Sequence, residues 1–268
     1  MIKISGFGIL CYDTRNIGDE IQSIAASQYL PSVDFYILRD DMSIVYDKNW
    51  QRVDERRLTK MKIAVLINGW FMHPRQGQYQ FPPKNCQWMI PLFTSIHLDV
   101  KESPKLLTPE AVRYLRDFQP IGCRDSHTQK LLTIKGVDTY LSGCLTLGLR
   151  SGLKGGSIGK IYSVRKHPKG TRNFSHDHKL DPATIGARFE HARKLISVYA
   201  RASEVVTDRL HCYLPCIALR VPVKYVGKID ARTQDYITNP GLKFRANNED
   251  VKRRISEFVN GFEVSAMD

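Results

Sequence analysis

The chain has 268 residues, enough to bury one large core or two compact ones without help from disulfides or metals. Apolar residues make up 42% and charged residues 25%, which excludes a disordered chain, and no apolar run reaches the roughly 18 residues of a membrane span. The net charge of +13 points to anionic partners: phosphorylated metabolites, nucleic acid, acidic glycans or an anionic membrane face.

That charge is uneven. Residues 1–144 hold 18 basic and 15 acidic side chains, whereas 145–268 hold 22 and 12, so the positive field belongs to the second half. Six scattered cysteines (Cys11, Cys86, Cys123, Cys144, Cys212, Cys216) show no CxxC spacing and read as reduced thiols. The first residues lack a basic segment followed by an apolar stretch and a cleavage site, so the expected location is the cytoplasm.

In chain order, the apolar run Ile4 to Tyr12 is followed by Asn16-Ile17-Gly18-Asp19 and then by Ile21, Ile24, Ala25 and Tyr29 at helical spacing. The pattern predicts strand, loop and helix, with Asp19 as the cap. Lys62 to Ile67 predicts a strand of a parallel sheet covered on both faces, ending at Asn68-Gly69-Trp70, and Met89 to Ile96 predicts another. Thr108-Pro109 starts a helix, since the hydroxyl can cap and proline suits the first helical position. Ile121 to Cys123 is a short strand that delivers Arg124, with Asp125 or Ser126 capping a helix that stops near Gly136.

Val137 to Leu141 predicts a further strand. Tyr140 to Leu147, with a tight Gly143, closes the first half. From Arg150 to His176 there are seven Lys or Arg and no acidic residue, with four glycines between 152 and 159, as in an entrance to a second lobe. Strands at Ile158 to Val164, Glu204 to Thr207 and Val221 to Val226 alternate with helices around 189–199 and 210–219. This alternation argues for parallel βα units, and a closing helix spans about 248–259.

Three strand-to-helix turns carry candidate chemistry. Asn16-Ile17-Gly18-Asp19 can present backbone amides to an anion, although taken alone such a turn reads first as a well-formed loop and cap. In Ile121-Gly122-Cys123-Arg124-Asp125-Ser126-His127 an arginine stands beside a helix N-terminus, an arrangement suited to phosphate or carboxylate, while a local Arg124–Asp125 ion pair explains it as well. His127 reads as a surface or packing residue. Thr207-Asp208-Arg209-Leu210-His211 again ends a strand in a cation, now joined by an imidazole able to give or take a proton near neutrality. Two strand-end arginines, one in each half, could clamp a doubly anionic molecule.

These segments, in this order from about Asn16 to Val226, resemble the polysaccharide pyruvyl transferases, which move a pyruvyl group from phosphoenolpyruvate to a sugar as a ketal. The resemblance implies an α/β fold of two Rossmann-like lobes, similar to GT-B glycosyltransferases, with parallel sheets and a cleft between. The lobes expected are 1–147 and a basic 148–268, the last helix packing back on the first lobe. It implies that Arg124 and the triplet Arg209, Leu210 and His211 line the phosphoenolpyruvate site. Asn16, Gly18 and Asp19 become further substrate contacts, as does Asn68, which stands where family members carry a glycine-rich turn on the acceptor side.

On this reading His211 is the proton donor, Arg124 and Arg209 hold carboxylate and phosphate, and the aspartates orient groups or cap helices. No metal and no cofactor beyond the donor substrate are expected. The acceptor is a sugar or glycan, lipid-linked or free, which leaves the inner membrane face as an alternative location. Two rivals remain: a glycosyltransferase using a nucleotide sugar, and a protein binding nucleic acid or an anionic surface through Arg150–His176 and Lys252-Arg253-Arg254.

Overall fold

The computed structural model describes residues 1–71, 81–150, 159–164, 169–178, 184–238 and 242–265, with the backbone alone for 242–248. Residues 151–158 and 165–168 of the basic, glycine-rich segment that follows Arg150 lie outside the described residues. In chain order the elements are β1 (Ile2–Ile4), β2 (Gly6–Cys11), α1 (Ile17–Ser27), β3 (Phe35–Leu38), β4 (Val45–Asp47), α2 (Glu55–Leu58), β5 (Ile63–Phe71), β6 (Met89–Leu98), α3 (Ser103–Leu106), α4 (Pro109–Asp117), β7 (Ile121–Cys123), α5 (Ser126–Ile134) and β8 (Thr139–Leu141). A 3₁₀ turn, Leu145–Gly148, leads to β9 (Ile161–Val164), β10 (Arg172–Phe174), α6 (Ile185–Ala200), β11 (Glu204–Thr207), α7 (Leu210–Ala218), β12 (Val223–Tyr225), α8 (Gln234–Ile237), α9 (Leu242–Asn260) and β13 (Phe262–Val264).

The chain divides into two units, each built on its own sheet. The first comprises residues 1–12, 29–144 and 241–268. Its seven-stranded sheet runs β4-β3-β2-β5-β6-β7-β8, parallel except for the β3–β4 pair. The central strands β2 and β5 are buried almost throughout, as their near-continuous apolar sequences require when helices cover both faces. The expected end of β5 at Asn68 is too early: the strand continues to Phe71 through a register shift between Ile67 and Gly69, where Gly69 adopts φ 129°. β3 and β4 escape the sequence reading because they are short and lie in a loop-rich stretch. α9 belongs to this unit, and its Arg254 guanidinium sits 4.3 Å over the Tyr140 ring.

The second unit comprises residues 13–28 and 145–240, around the all-parallel sheet β10-β9-β11-β12. It differs from a simple division at 147 because α1 packs here. Glu20 of α1 is fully buried and binds Arg188 Nε (2.9 Å) and His178 Nε2 (3.1 Å), both from the later part of the chain. An unpaired buried carboxylate would be strongly destabilising, so this ion cluster fixes α1 to α6.

Together the two units make a mixed α/β protein with mostly parallel sheets. Among the described residues no helix is long and apolar enough to cross a membrane, and none of the six cysteines is bonded to another.

Candidate functional site

In the second unit the site forms at the carboxyl ends of the parallel strands, where open α/β sheets place ligands. β11 ends at Thr207, whose Oγ1 accepts from Arg209 N at 3.0 Å and closes the turn into α7. Arg209 occupies the N-cap position of α7, and no side chain caps that helix. A helix start without a capping oxygen keeps its positive end available to an anion. Arg209 Nη2 binds Asp177 Oδ1 at 3.1 Å, while its Nε is buried with no hydrogen-bond partner among the described residues. Leu210 is the buried first residue of α7.

His211 is buried at the first turn of α7 and departs from helical geometry, with φ −84° and ψ 19°. Pro215 four residues later supplies the cause. Proline has no N–H to give the His211 carbonyl, and its ring would collide with that carbonyl in a regular helix.

α1 meets the same place. Asn16 caps the helix, its Oδ1 accepting from Gly18 N at 3.2 Å. Asp19, expected as the cap, instead lies inside the first turn and is almost fully buried: Oδ2 accepts from Thr14 Oγ1 at 2.7 Å, and Oδ1 from Asn16 Nδ2 at 3.1 Å and Gln22 Nε2 at 3.3 Å. The first α1 amides are also occupied, Ile17 N by the His176 carbonyl and Asp19 N by the Asn16 carbonyl. Gly18 is required by close approach: a Cβ there would fall 2.8 Å from His211 Cβ, 3.0 Å from His176 Nε2 and 3.2 Å from Asn16 Oδ1. Thus Asn16, Gly18 and Asp19 converge with His211 and Arg209 in one unit, where Asn16 and Asp19 build the turn.

The sequence reading missed the residues that knit this place together. His176 is buried, with Nδ1 2.9 Å from the Tyr199 hydroxyl. Burial, then the Arg209 charge, then His178 and His191, push its pKa down to about 3, so the ring is neutral at physiological pH. Burial, then neighbouring Cys212, holds the Tyr199 phenol well above its ordinary range. Ser175-His176-Asp177-His178 was the available signal, a polar, histidine-rich string directly after a basic stretch.

In the first unit, the neighbouring strands β5, β6 and β7 carry Asn68 at the register shift inside β5, His97 near the end of β6, and Arg124 directly after β7. All three are buried. Asp125 caps α5 by accepting from Thr128 N at 2.9 Å, and its other oxygen lies 2.6 Å from His97 Nδ1. Burial pushes the Asp125 carboxyl up, but the hydrogen bond and charge of His97, then Arg124 and the Thr128 amide, outweigh it and hold the group below the ordinary carboxylate value. The sequence gave no reason to single out His97, since the last turn of an apolar strand carries no local signature.

Comparison with known proteins follows the same stretch of chain. The family model for polysaccharide pyruvyl transferase matches residues 16–226. No curated protein matches. Among solved structures, the chain is similar to the crystal structure of an uncharacterized protein from Klebsiella pneumoniae, at 14% identity, covering 88% of this chain and 90% of that one, with a TM-score of 0.49. The matched stretch begins at Asn16 and spans Arg124, Arg209 and His211, and the chain belongs to the polysaccharide pyruvyl transferase family.

Proposed function

We propose that the protein transfers a pyruvyl group from phosphoenolpyruvate to a sugar or glycan as a ketal, in a GT-B-like arrangement of two Rossmann-like lobes. The observation that carries this reading is Arg209 at an uncapped helix start, its buried Nε without an acceptor among the described residues, beside His211. A guanidinium and a helix N-terminus both favour an anion, and an adjacent imidazole can move a proton.

The reaction needs those two capacities. His211 gives a proton to the methylene carbon of the enol phosphate, which leaves an oxocarbenium-like centre at the neighbouring carbon. A sugar hydroxyl adds there and loses its proton; phosphate then departs with the bonding electron pair. A second hydroxyl adds to the same carbon and loses its proton, closing the ketal. One donor and two hydroxyls thus give one ketal and one phosphate. Arg209 holds the anion and offsets charge on the departing group. The acceptor belongs on the side of Asn68, in the cytoplasm or at the inner membrane face where lipid-linked glycans lie.

The test is incubation with phosphoenolpyruvate and candidate glycans. Phosphate release that requires both components is the expected result, whereas activity with nucleotide sugars alone would replace this reading with a glycosyltransferase.

A further inference from the structure

His176 lies against the Arg209–His211 turn but has no part in the steps above. Its ring is anchored on one side, with Nδ1 2.9 Å from the Tyr199 hydroxyl. The phenol keeps its proton, because burial raises its pKa far above neutrality, and of its two hydrogen-bonding neighbours, His176 Nδ1 and the Cys212 thiol, the imidazole nitrogen is the better acceptor. Tyr199 therefore donates to Nδ1, and the ring proton of neutral His176 resides on Nε2. Nε2 is buried, has no hydrogen-bond partner among the described residues, and points at the Gly18–His211 junction.

Arg209 Nε–H is likewise buried without a hydrogen-bond partner among the described residues. The two donors are linked through Asp177, which follows His176 in sequence and binds Arg209 Nη2 at 3.1 Å. A buried donor left without an acceptor is destabilising, and an oxyanion at this helix start would satisfy both.

We infer that His176 is a further substrate-binding residue of this site, a neutral donor whose Nε2–H joins Arg209 Nε–H in receiving oxygens of one anionic group of the donor substrate. The inference rests on the reading of Arg209 and His211 as the donor site. A neutral donor suits the place: a second cation beside Arg209 would be repelled, whereas an uncharged N–H adds a hydrogen bond and leaves His211 as the proton source. The oxyanion can be the phosphate or the carboxylate of the substrate.

Calorimetric titration of the full chain with inorganic phosphate and, separately, with pyruvate distinguishes the two ends. His176→Phe should weaken one of these ligands about tenfold, and His176→Gln, whose amide nitrogen reaches close to the Nε2 position, should recover most of the loss. The ligand affected identifies the group that His176 reads. Should His176→Phe fail to fold, Tyr199→Phe, which releases the proton arrangement of the ring, serves in its place and should weaken the same ligand about threefold. Unchanged binding of both anions in the variant that folds overturns the inference, as does a wild type that binds neither. If phosphoenolpyruvate turns over but binding ignores His176, only this inference falls. If phosphate or pyruvate binding depends on His176 but no acceptor supports turnover, His176 stands as an anion contact and the transferase reading falls.

Discussion

Pro215 stands four residues after His211 in α7, and it is at His211 that the helix leaves helical geometry. The relationship is causal, since proline removes the hydrogen bond that the His211 carbonyl would otherwise accept. The imidazole proposed as proton donor thus has its backbone set by a residue one helical turn away.

Replacing Pro215 with alanine should let α7 run regularly through its first turn. The expected outcome is a kcat lower by on the order of 10- to 100-fold with a little-changed KM for phosphoenolpyruvate, because the imidazole is re-aimed while Arg209 stays in place. Melting temperature should be unchanged or higher, since an interior proline weakens a helix by about 3 kcal/mol. Steady-state kinetics together with thermal melts separate these effects, and a parallel loss of stability and activity would contradict the account.

Gly18→Ala puts a methyl group where His211 Cβ, His176 Nε2 and Asn16 Oδ1 already converge within 3.2 Å. Overpacking of this kind costs about 1–3 kcal/mol, and the displaced imidazoles should lower turnover by more than the melting shift explains. Denaturant titration checks the first quantity and kcat the second.

Arg209→Ala should raise the KM for phosphoenolpyruvate by roughly 10- to 100-fold, the worth of a charged hydrogen bond of about 1.5–3 kcal/mol. Lysine at this position restores the charge but not the paired geometry toward Asp177 and the anion, so Arg209→Lys should recover only part of the affinity. Initial-rate kinetics over a donor concentration series provide the measurement, and an unaltered KM in the alanine variant would remove Arg209 from the donor site.

His176 also makes stability depend on pH. In the unfolded chain its ring takes up a proton near pH 6.5, whereas in the folded protein it resists until about pH 3. Between those values the unfolded state binds more protons, so stability falls as the solution is acidified, by up to about 1.4 kcal/mol per pH unit from this group alone. Urea titrations from pH 7 to pH 4 should show a shallower decline for His176→Gln than for wild type, and identical slopes would show that the ring is not held neutral.

Much of the fold was legible because its signals are local. The buried run of β5, the Thr108-Pro109 start of α4 and the strand-to-helix turn at Arg209 each announce themselves within a few residues. The cap of α1 was misread by three residues, since Asn16 and Asp19 are both competent and only the burial of Asp19 among Thr14, Asn16 and Gln22 separates them. The placement of α1 with 145–240 was beyond reach, because helical spacing reports an apolar face and not its partner. Arg124 could be chosen from its turn, but the His97–Asp125 pair joins residues 28 positions apart and left no pattern in the sequence.

The burial of Glu20 against Arg188 and His178 bears on how the chain matures during synthesis. The first 28 residues leave the ribosome with a helix whose acidic side chain has no counter-charge until more than 150 further residues have followed. The second unit is therefore a late-closing body of high contact order, and its assembly draws on both early and late segments of the nascent chain. A fragment that begins after residue 144 would expose the apolar seat of α1 and strand Arg188 without its carboxylate, so the unit is not separable by cutting the chain at one point.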